Sequence, residues 1–256
     1  MGINGTDVAK GAAAMILTDD NFASIEAAVE EGRGVFDNLT KFIVWIIPTN
    51  LGEALMLLTA IVFGLPLPLL PLHLLWINLT DTLLGLSLAF EPKESDVMSR
   101  PPRKPKQPLL SFPLIMRTGL VSLIMVVGGL GLLLWELRVE LAPLAEARTT
   151  VINVIVLAQI VYLFNCRSLH RSVFSIGLLS NGWTIAGSLA MLGAQLIFTY
   201  TPVMNRLFHT APIHGESWLR IVGVAALVFV AVEFEKWIRF GRGRGDHSVA
   251  ELNAAA

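Results

Sequence analysis

FIVWIIPTNLGEALMLLTAIVF (42–63) and LLPLHLLWINLTDTLLGLSLAF (69–90) are apolar stretches separated by a short turn, GLPLP (64–68), that carries no charge. Each has the length of about 20 residues that a bilayer-crossing helix needs. Two such stretches joined by so short a turn read as an antiparallel pair of membrane helices. Four more follow at 114–135, 149–166, 183–200 and 218–238, of which the fourth and fifth spans of the six are the shortest. The chain of 256 residues is 54% hydrophobic and 15% charged. A soluble domain carries about a quarter charged residues, so much of this surface is expected to face lipid.

Lysine and arginine in short loops set membrane orientation. Arg33 and Lys41 precede the first span, and the turn after it has neither residue type. Lys93, Arg100, Arg103, Lys104 and Lys106 follow the second span. Arg138 and Arg148 after the third are offset by Glu136, Glu140 and Glu146. Arg167 and Arg171 follow the fourth, Arg206 the fifth, and Lys236, Arg239, Arg242 and Arg244 close the sixth. The bias alternates with every crossing. It predicts a multi-pass protein of the cell membrane with both termini cytoplasmic. Net charge is −1, so no basic field marks nucleic acid as a partner. Cys166 is the lone cysteine and reads as a small buried apolar residue. No signal peptide is expected, because Asp7, Lys10, Asp19 and Asp20 interrupt the first apolar run.

Residues 1–37 differ in kind. AAMILT (13–18) ends at Asp19-Asp20-Asn21, residues that suit a helix N-cap. Residues 22–33 then place Phe22, Ile25 and Val29 on one helical face and Glu26, Glu30 and Glu31 on the other. This reads as a strand, a turn and a helix, a short α/β fragment that cannot bury a core of its own. The helix continues into the first span as a stalk if Gly32 and Gly34 permit it.

Inside the spans, polar residues are expensive and mark function. Asn50 and Glu53 are three apart in the first span, as are Asn78 and Asp81 in the second, with Thr82 four from Asn78. Carboxylate, amide and hydroxyl oxygens are hard ligands suited to Ca²⁺, Mg²⁺ or Mn²⁺. The alternative use of the same side chains is hydrogen bonding between helices. Pro48 frees the carbonyl of Val44, which either serves as a further ligand or marks a packing kink. Elsewhere, Arg117 reads as a residue snorkelling to the interface. Glu233 with Lys236 and Glu235 with Arg239 read as pairs on the last helix. Gly128, Gly129 and Gly131 read as sites of close helix contact. His73 reads as a residue near the outer surface. Residues 91–108 read as a basic loop and 241–256 as a disordered tail.

Several of these segments resemble P-type cation-transporting ATPases of the calcium-pump-like, bacterial branch. GINGTDVAK (2–10), MILTDDNF (15–22) and EGR (31–33) are similar to the end of that family's phosphorylation domain. PTNLGE (48–53), GLPLP (64–68), LWINL (75–79), FEP (90–92), DVM (96–98) and RPPR (100–103) continue the pattern in order. The resemblance implies an α-helical polytopic membrane protein of six transmembrane helices, preceded by a short α/β remnant of a HAD-like phosphorylation domain. It divides the chain into 1–37, the end of that domain and the stalk; 38–240, the six-helix domain; and 241–256, the tail.

It also implies a pump in which ATP hydrolysis, with Mg²⁺, drives a cation across the membrane, Ca²⁺ first. Asn50, Glu53 and Asn78 fall on the calcium pump's ligand positions. Asp81 follows with one residue fewer between it and Asn78, so it faces the site only if the helix is locally unwound. Tyr162 stands where the pump has an acid, with Gln159 one turn earlier, which implies one full ion site. The family's Asp-Lys-Thr-Gly-Thr and Gly-Asp-Gly-x-Asn-Asp motifs do not occur in the sequence. The chain is therefore expected not to hydrolyse ATP unaided, and to work with actuator, nucleotide and phosphorylation domains that it lacks. The competing reading is a stand-alone membrane partner, a regulatory subunit or half of a split pump. A passive six-helix channel leaves residues 1–37 without a purpose.

Overall fold

Forty consecutive residues form one helix, α2 (Ala23–Val62). At 1.5 Å per residue it is about 60 Å long, twice the hydrocarbon thickness of a bilayer. Its length leaves room for both the expected stalk and the first span on one helix. Gly32 and Gly34 do not break it. Gly34 instead admits a neighbour: a Cβ there would lie 2.9 Å from Lys93 Cγ.

The computed structural model describes residues 1–94, 96–102 and 109–240. A short helix, α1 (Asp7–Ala12), precedes α2. After it come α3 (Pro71–Gly85), which tightens into a 3-10 turn over Leu86–Phe90, then α4 (Phe112–Arg138) and α5 (Leu144–Cys166). The short α6 (Val173–Ile176), α7 (Gly182–Tyr200), the short α8 (Pro202–Phe208) and α9 (Gly215–Phe240) complete the order. Among the described residues six helices are long and apolar enough to cross a membrane, one for each expected span. Arg103, Lys104, Lys106 and the tail from 241 lie outside the described residues.

The strand expected at 13–18 does not form, and no strand occurs among the described residues. A single strand has no neighbour with which to exchange hydrogen bonds. The segment closes as a loop instead. Gly2 N–H donates to Leu17 O at 2.6 Å. Ile3 and Asn4 N–H donate to the Asp20 carboxylate at 3.1 and 2.8 Å. The start of α2 does follow the expected polar run, with Asn21 Oδ1 accepting from Ala23 N–H at 3.0 Å. Ile3, Val8, Met15 and Phe22 remain exposed, as suits a segment too short to bury a core.

The bundle is built around α5. Its residues are buried on every side, which is the pattern of a central helix. Polar side chains join it to its neighbours: Asn153 Nδ2 donates to Thr199 Oγ1 at 3.1 Å, and Gln195 Nε2 donates to Asn153 Oδ1 at 3.1 Å. The outer helices turn apolar side chains outward. Leu51, Leu55, Leu58 and Val62 make one exposed stripe on α2, the arrangement lipid demands. Helices approach closely where glycines allow. A Cβ on Gly128 would meet Val224 at 2.5 Å, and one on Gly129 would meet Met56 at 2.4 Å, whereas Gly131 faces open space.

The loop after α3 is strapped to the stalk. Arg33 donates to the carbonyls of Val97 and Arg100 at 2.9 and 2.8 Å. Arg100 pairs with Asp37, Glu94 and Asp96 at 2.7, 2.8 and 2.7 Å. The hydrogen bond from Arg100 holds the Asp96 carboxyl below its usual range. A depressed carboxylate contributes stability above its unfolded pKa and loses it as pH falls. Acidification below about pH 4 should therefore release this strap. Faster hydrogen exchange at Val97 and Ser99 than in the transmembrane helices would register it, and unchanged exchange would refute it.

Candidate functional site

Proline in mid-helix leaves a carbonyl without its donor. Pro48 does this to Val44 within α2. The tyrosine hydroxyl of Tyr162, on α5, donates to Val44 O at 3.0 Å. The freed carbonyl is thus taken up by a side chain of the bundle. Ser122 on α4 donates to Pro48 O at 2.8 Å. The helix around Pro48 is therefore held from two sides. Tyr162→Phe should leave Val44 O unsatisfied and cost about 1–3 kcal/mol, read as a lower unfolding temperature in detergent. An unchanged transition would show that the carbonyl has another partner.

One turn beyond Pro48, Glu53 points into the bundle and is only 3% exposed. Asp81, from α3, meets it there at 1% exposure. Between them lies Gln159 of α5, fully buried. Its Nε2 donates to Glu53 Oε1 at 3.2 Å and to Asp81 Oδ2 at 3.4 Å. Trp45 Nε1 donates to the Gln159 carbonyl at 3.0 Å and fixes the backbone from which this amide projects. Close contact of α2 and α3 is secured at Gly85, where a Cβ would lie 2.5 Å from Trp45 and 2.6 Å from Phe42.

Asp81 reaches this position without local unwinding, since α3 is continuous from Pro71 to Gly85. Asn50, Asn78 and Thr82 lie differently. All three are exposed. Asn78 Nδ2 donates to Leu74 O at 2.8 Å and Thr82 Oγ1 to Asn78 O at 2.7 Å. Among the described residues no hydrogen bond ties Asn50 or Asn78 to the carboxylate pair. Residues three apart on a helix share an edge, but here the edge straddles the rim of the bundle, with acids inside and amides outside. Among the described residues no three His, Cys, Asp or Glu side chains converge as a metal site.

Two carboxylates sharing one amide in a medium of low dielectric would repel strongly when both are ionised. The pair therefore attracts positive charge, and its oxygens are of the kind that hold hard cations. The family model described as cation transporting ATPase, C-terminus, matches residues 66–238. The chain belongs to the P-type cation-transporting ATPases. A protein of Mycobacterium tuberculosis named "Probable cation-transporting ATPase F" is 55% identical over 91% of this chain. A calcium-transporting ATPase of Bacillus subtilis is 39% identical over 89% of the chain. The human calcium-transporting ATPase type 2C member 2 is 34% identical over 92% of it. The chain spans about a quarter of the length of these relatives, 26%, 26% and 25% in turn. This ATPase segment thus corresponds to the membrane-embedded C-terminal region of the family.

Other expectations for the ATPase segment divide. Arg117 does not snorkel. It is 1% exposed and paired with Glu235 at 2.6 Å. Glu233 pairs with Lys236 at 2.9 Å, and Glu235 with Arg239. His73 is buried. Its Nδ1 accepts from Leu70 N–H at 3.1 Å and its Nε2 lies 2.6 Å from Phe208 O, so it ties the start of α3 to α8. Cys166 is free and buried.

Proposed function

We propose that this chain is the ion-binding transmembrane portion of a P-type ATPase that couples ATP hydrolysis to movement of Ca²⁺ across the cell membrane. The buried meeting of Glu53 and Asp81 carries this reading. A protein does not bring two acids together at membrane depth for stability alone, because burying like charges is costly. Asn50, Glu53, Asn78 and Asp81 are the residues that contact the ion. The amides at Asn50 and Asn78 support a second element of the proposal. Polar side chains facing lipid are costly, so this side of α2 and α3 is covered by protein. The covering elements are the membrane helices of the N-terminal part of the pump, which also brings the actuator, nucleotide and phosphorylation domains that use ATP and Mg²⁺. Residues 1–37 join that phosphorylation domain to the stalk, and both termini are cytoplasmic.

The geometry suggests how the two halves communicate. The stalk and the Glu53 carboxylate sit on one unbroken helix. Displacement of the stalk end moves Glu53 relative to Asp81 and changes the spacing that the ion sees. Calcium is favoured because the Bacillus and human relatives are both named calcium-transporting ATPases. The test is ATP-driven uptake of radioactive Ca²⁺ into inside-out vesicles that contain a full-length ATPase bearing this segment. Saturable Ca²⁺ uptake is expected, with Mn²⁺, Mg²⁺, Na⁺ and K⁺ as competitors. Transport of a monovalent ion only would overturn the choice of calcium, and no ATP-driven transport at all would favour a partner or regulatory subunit.

A further inference from the structure

At the end of the bundle away from the stalk, the last turn of α4, the first turn of α5 and the first turns of α9 enclose a cavity of about 760 Å³. Four carboxylates line it, Glu136, Glu140, Glu146 and Glu216, against one guanidinium, Arg220, and the imidazole of His214. Arg220 is shared three ways. It reaches Glu136 Oε1 at 3.4 Å, Glu140 Oε1 at 2.5 Å and Glu216 Oε2 at 3.4 Å. Glu146 stands apart. It is 8% exposed, and its Oε1 is buried without a hydrogen-bond partner. His214 Nε2 lies 3.6 Å away, on a side chain 87% exposed, and a neutral imidazole supplies no charge. A buried carboxylate oxygen with no donor is costly. Here it lines a cavity with room for a donor that comes from outside.

The arrangement does not suit a metal ion. Among the described residues no three His, Cys, Asp or Glu side chains converge on one point, and three of these acids are spread about a guanidinium. Leu141, Ala142, Pro143 and Leu219 wall the same cavity, and apolar walls suit a carbon chain. With all four acids ionised and His214 neutral, Arg220 leaves an excess of three negative charges. We propose that this cavity binds a linear aliphatic polyamine, of which spermidine, with three ammonium groups, is the type. One ammonium donates to Glu146 Oε1, the others to the carboxylates that share Arg220, and the methylenes lie on the apolar wall. Glu216 and His214, with side chains 79% and 87% exposed, leave the entrance open to water. Bound there, the ligand braces the start of α5 against the start of α9. The site is separate from the Glu53–Asp81 pair and does not depend on it.

The experiment uses the purified full-length ATPase bearing this segment, with radioactive spermidine as the probe. It is run at about pH 8, where an ordinary imidazole is neutral, and at about 0.15 M salt, which screens diffuse attraction. Saturable binding of one spermidine per chain is expected, with a raised melting temperature. Putrescine should compete more weakly, and propylamine and Mg²⁺ hardly at all. Glu146→Gln should weaken binding by about tenfold or more, and Glu53→Gln should leave it unchanged. If Glu146→Gln melts well below the parent, Glu216→Gln on the exposed rim decides instead: binding about threefold weaker supports the site, and unchanged binding counts against it. No saturable binding in the parent overturns the proposal, and so does unchanged affinity in a stable Glu146→Gln. Loss of binding in Glu53→Gln would place the polyamine at the transport site. Displacement by equal Mg²⁺ would make the cavity a metal site, and binding of a lysine-rich peptide without binding of spermidine would make it a protein-docking surface. Each of these three outcomes also overturns the proposal.

Discussion

Glu53→Gln and Asp81→Asn, each made singly in a full-length pump, should abolish cation-dependent phosphorylation from ATP while leaving the protein as stable as the parent or more so. The two effects have opposite signs for one physical reason. Both substitutions keep the size of the side chain and remove a charge. Glu53 and Asp81 are 3% and 1% exposed and share the Gln159 amide, so without a cation this buried pair of acids is a cost the fold carries. Removing either charge lowers that cost. It also removes half of the negative charge that draws a divalent ion out of water. Loss of one buried charged partner costs several kcal/mol of interaction, or at least about a hundredfold in affinity. The measurements are phosphorylation against Ca²⁺ concentration and thermal unfolding in Ca²⁺-free detergent. Unchanged ion dependence in both variants would sink the site. A steep loss of stability in both would instead make the pair a structural element. Destabilising geometry at a functional site, relieved by a mutation that kills function, is a familiar exchange.

The parts legible in the sequence were those that lipid dictates. All six spans could be read because a bilayer admits only long apolar helices. Glu53 and Asp81 could be read because acids at that depth are rare and costly. What could not be read was pairing between distant segments. Gln159 lies 106 positions from Glu53 and 78 from Asp81; the resemblance sets it one turn before the pump's acid position, but only the fold shows its amide meeting both carboxylates. Tyr162 taking the Val44 carbonyl, across 118 positions, is of the same kind. Arg117 was misread because its place near a span end suits snorkelling, whereas Glu235 on α9 supplies a buried partner. The strand at 13–18 was misread because an apolar run ending in acidic residues looks alike whether or not a sheet is present to receive it. Spacing groups the amides at Asn50 and Asn78 with the acids, but it does not say on which side of the bundle rim each falls: the amides are exposed and the acids buried.

Arg167→Met should be the most destabilising single change outside the site, costing about 3–5 kcal/mol, as breaking a buried pair does. The Arg167 side chain is fully buried and Glu91 nearly so. Nε of Arg167 donates to both Glu91 oxygens at 3.0 and 3.1 Å. Its Nη1 donates to the carbonyls of Gly177 and Leu178 at 3.1 and 2.8 Å, and its Nη2 to Ser180 Oγ at 2.5 Å. Asn181, the N-cap of α7, donates to Glu91 Oε2 at 2.6 Å. One guanidinium thus joins the end of α5, the end of the α3 segment and the approach to α7. Lysine cannot reproduce it, because a point charge on a flexible stem has no planar fork, so Arg167→Lys should fall well short of the parent. Adding Glu91→Met to Arg167→Met should recover part of the loss by removing the orphaned charge. Recovery stays partial, since the Gly177 and Leu178 carbonyls and Asn181 still lack their partners. The consequence extends to the site through α7. Trp76 of α3 donates to Gln195 of α7 at 3.1 Å and stacks on Phe198 at 5.0 Å, and Asp81 lies on that same α3. A loosened α7 should therefore weaken Ca²⁺ binding as well as stability. By linkage, saturating Ca²⁺ should then raise the melting temperature of Arg167→Met. Differential scanning measurements with and without Ca²⁺ decide it: a large drop with Ca²⁺ rescue is expected, and a melting temperature equal to the parent's would show that this buried charge is not what anchors α7.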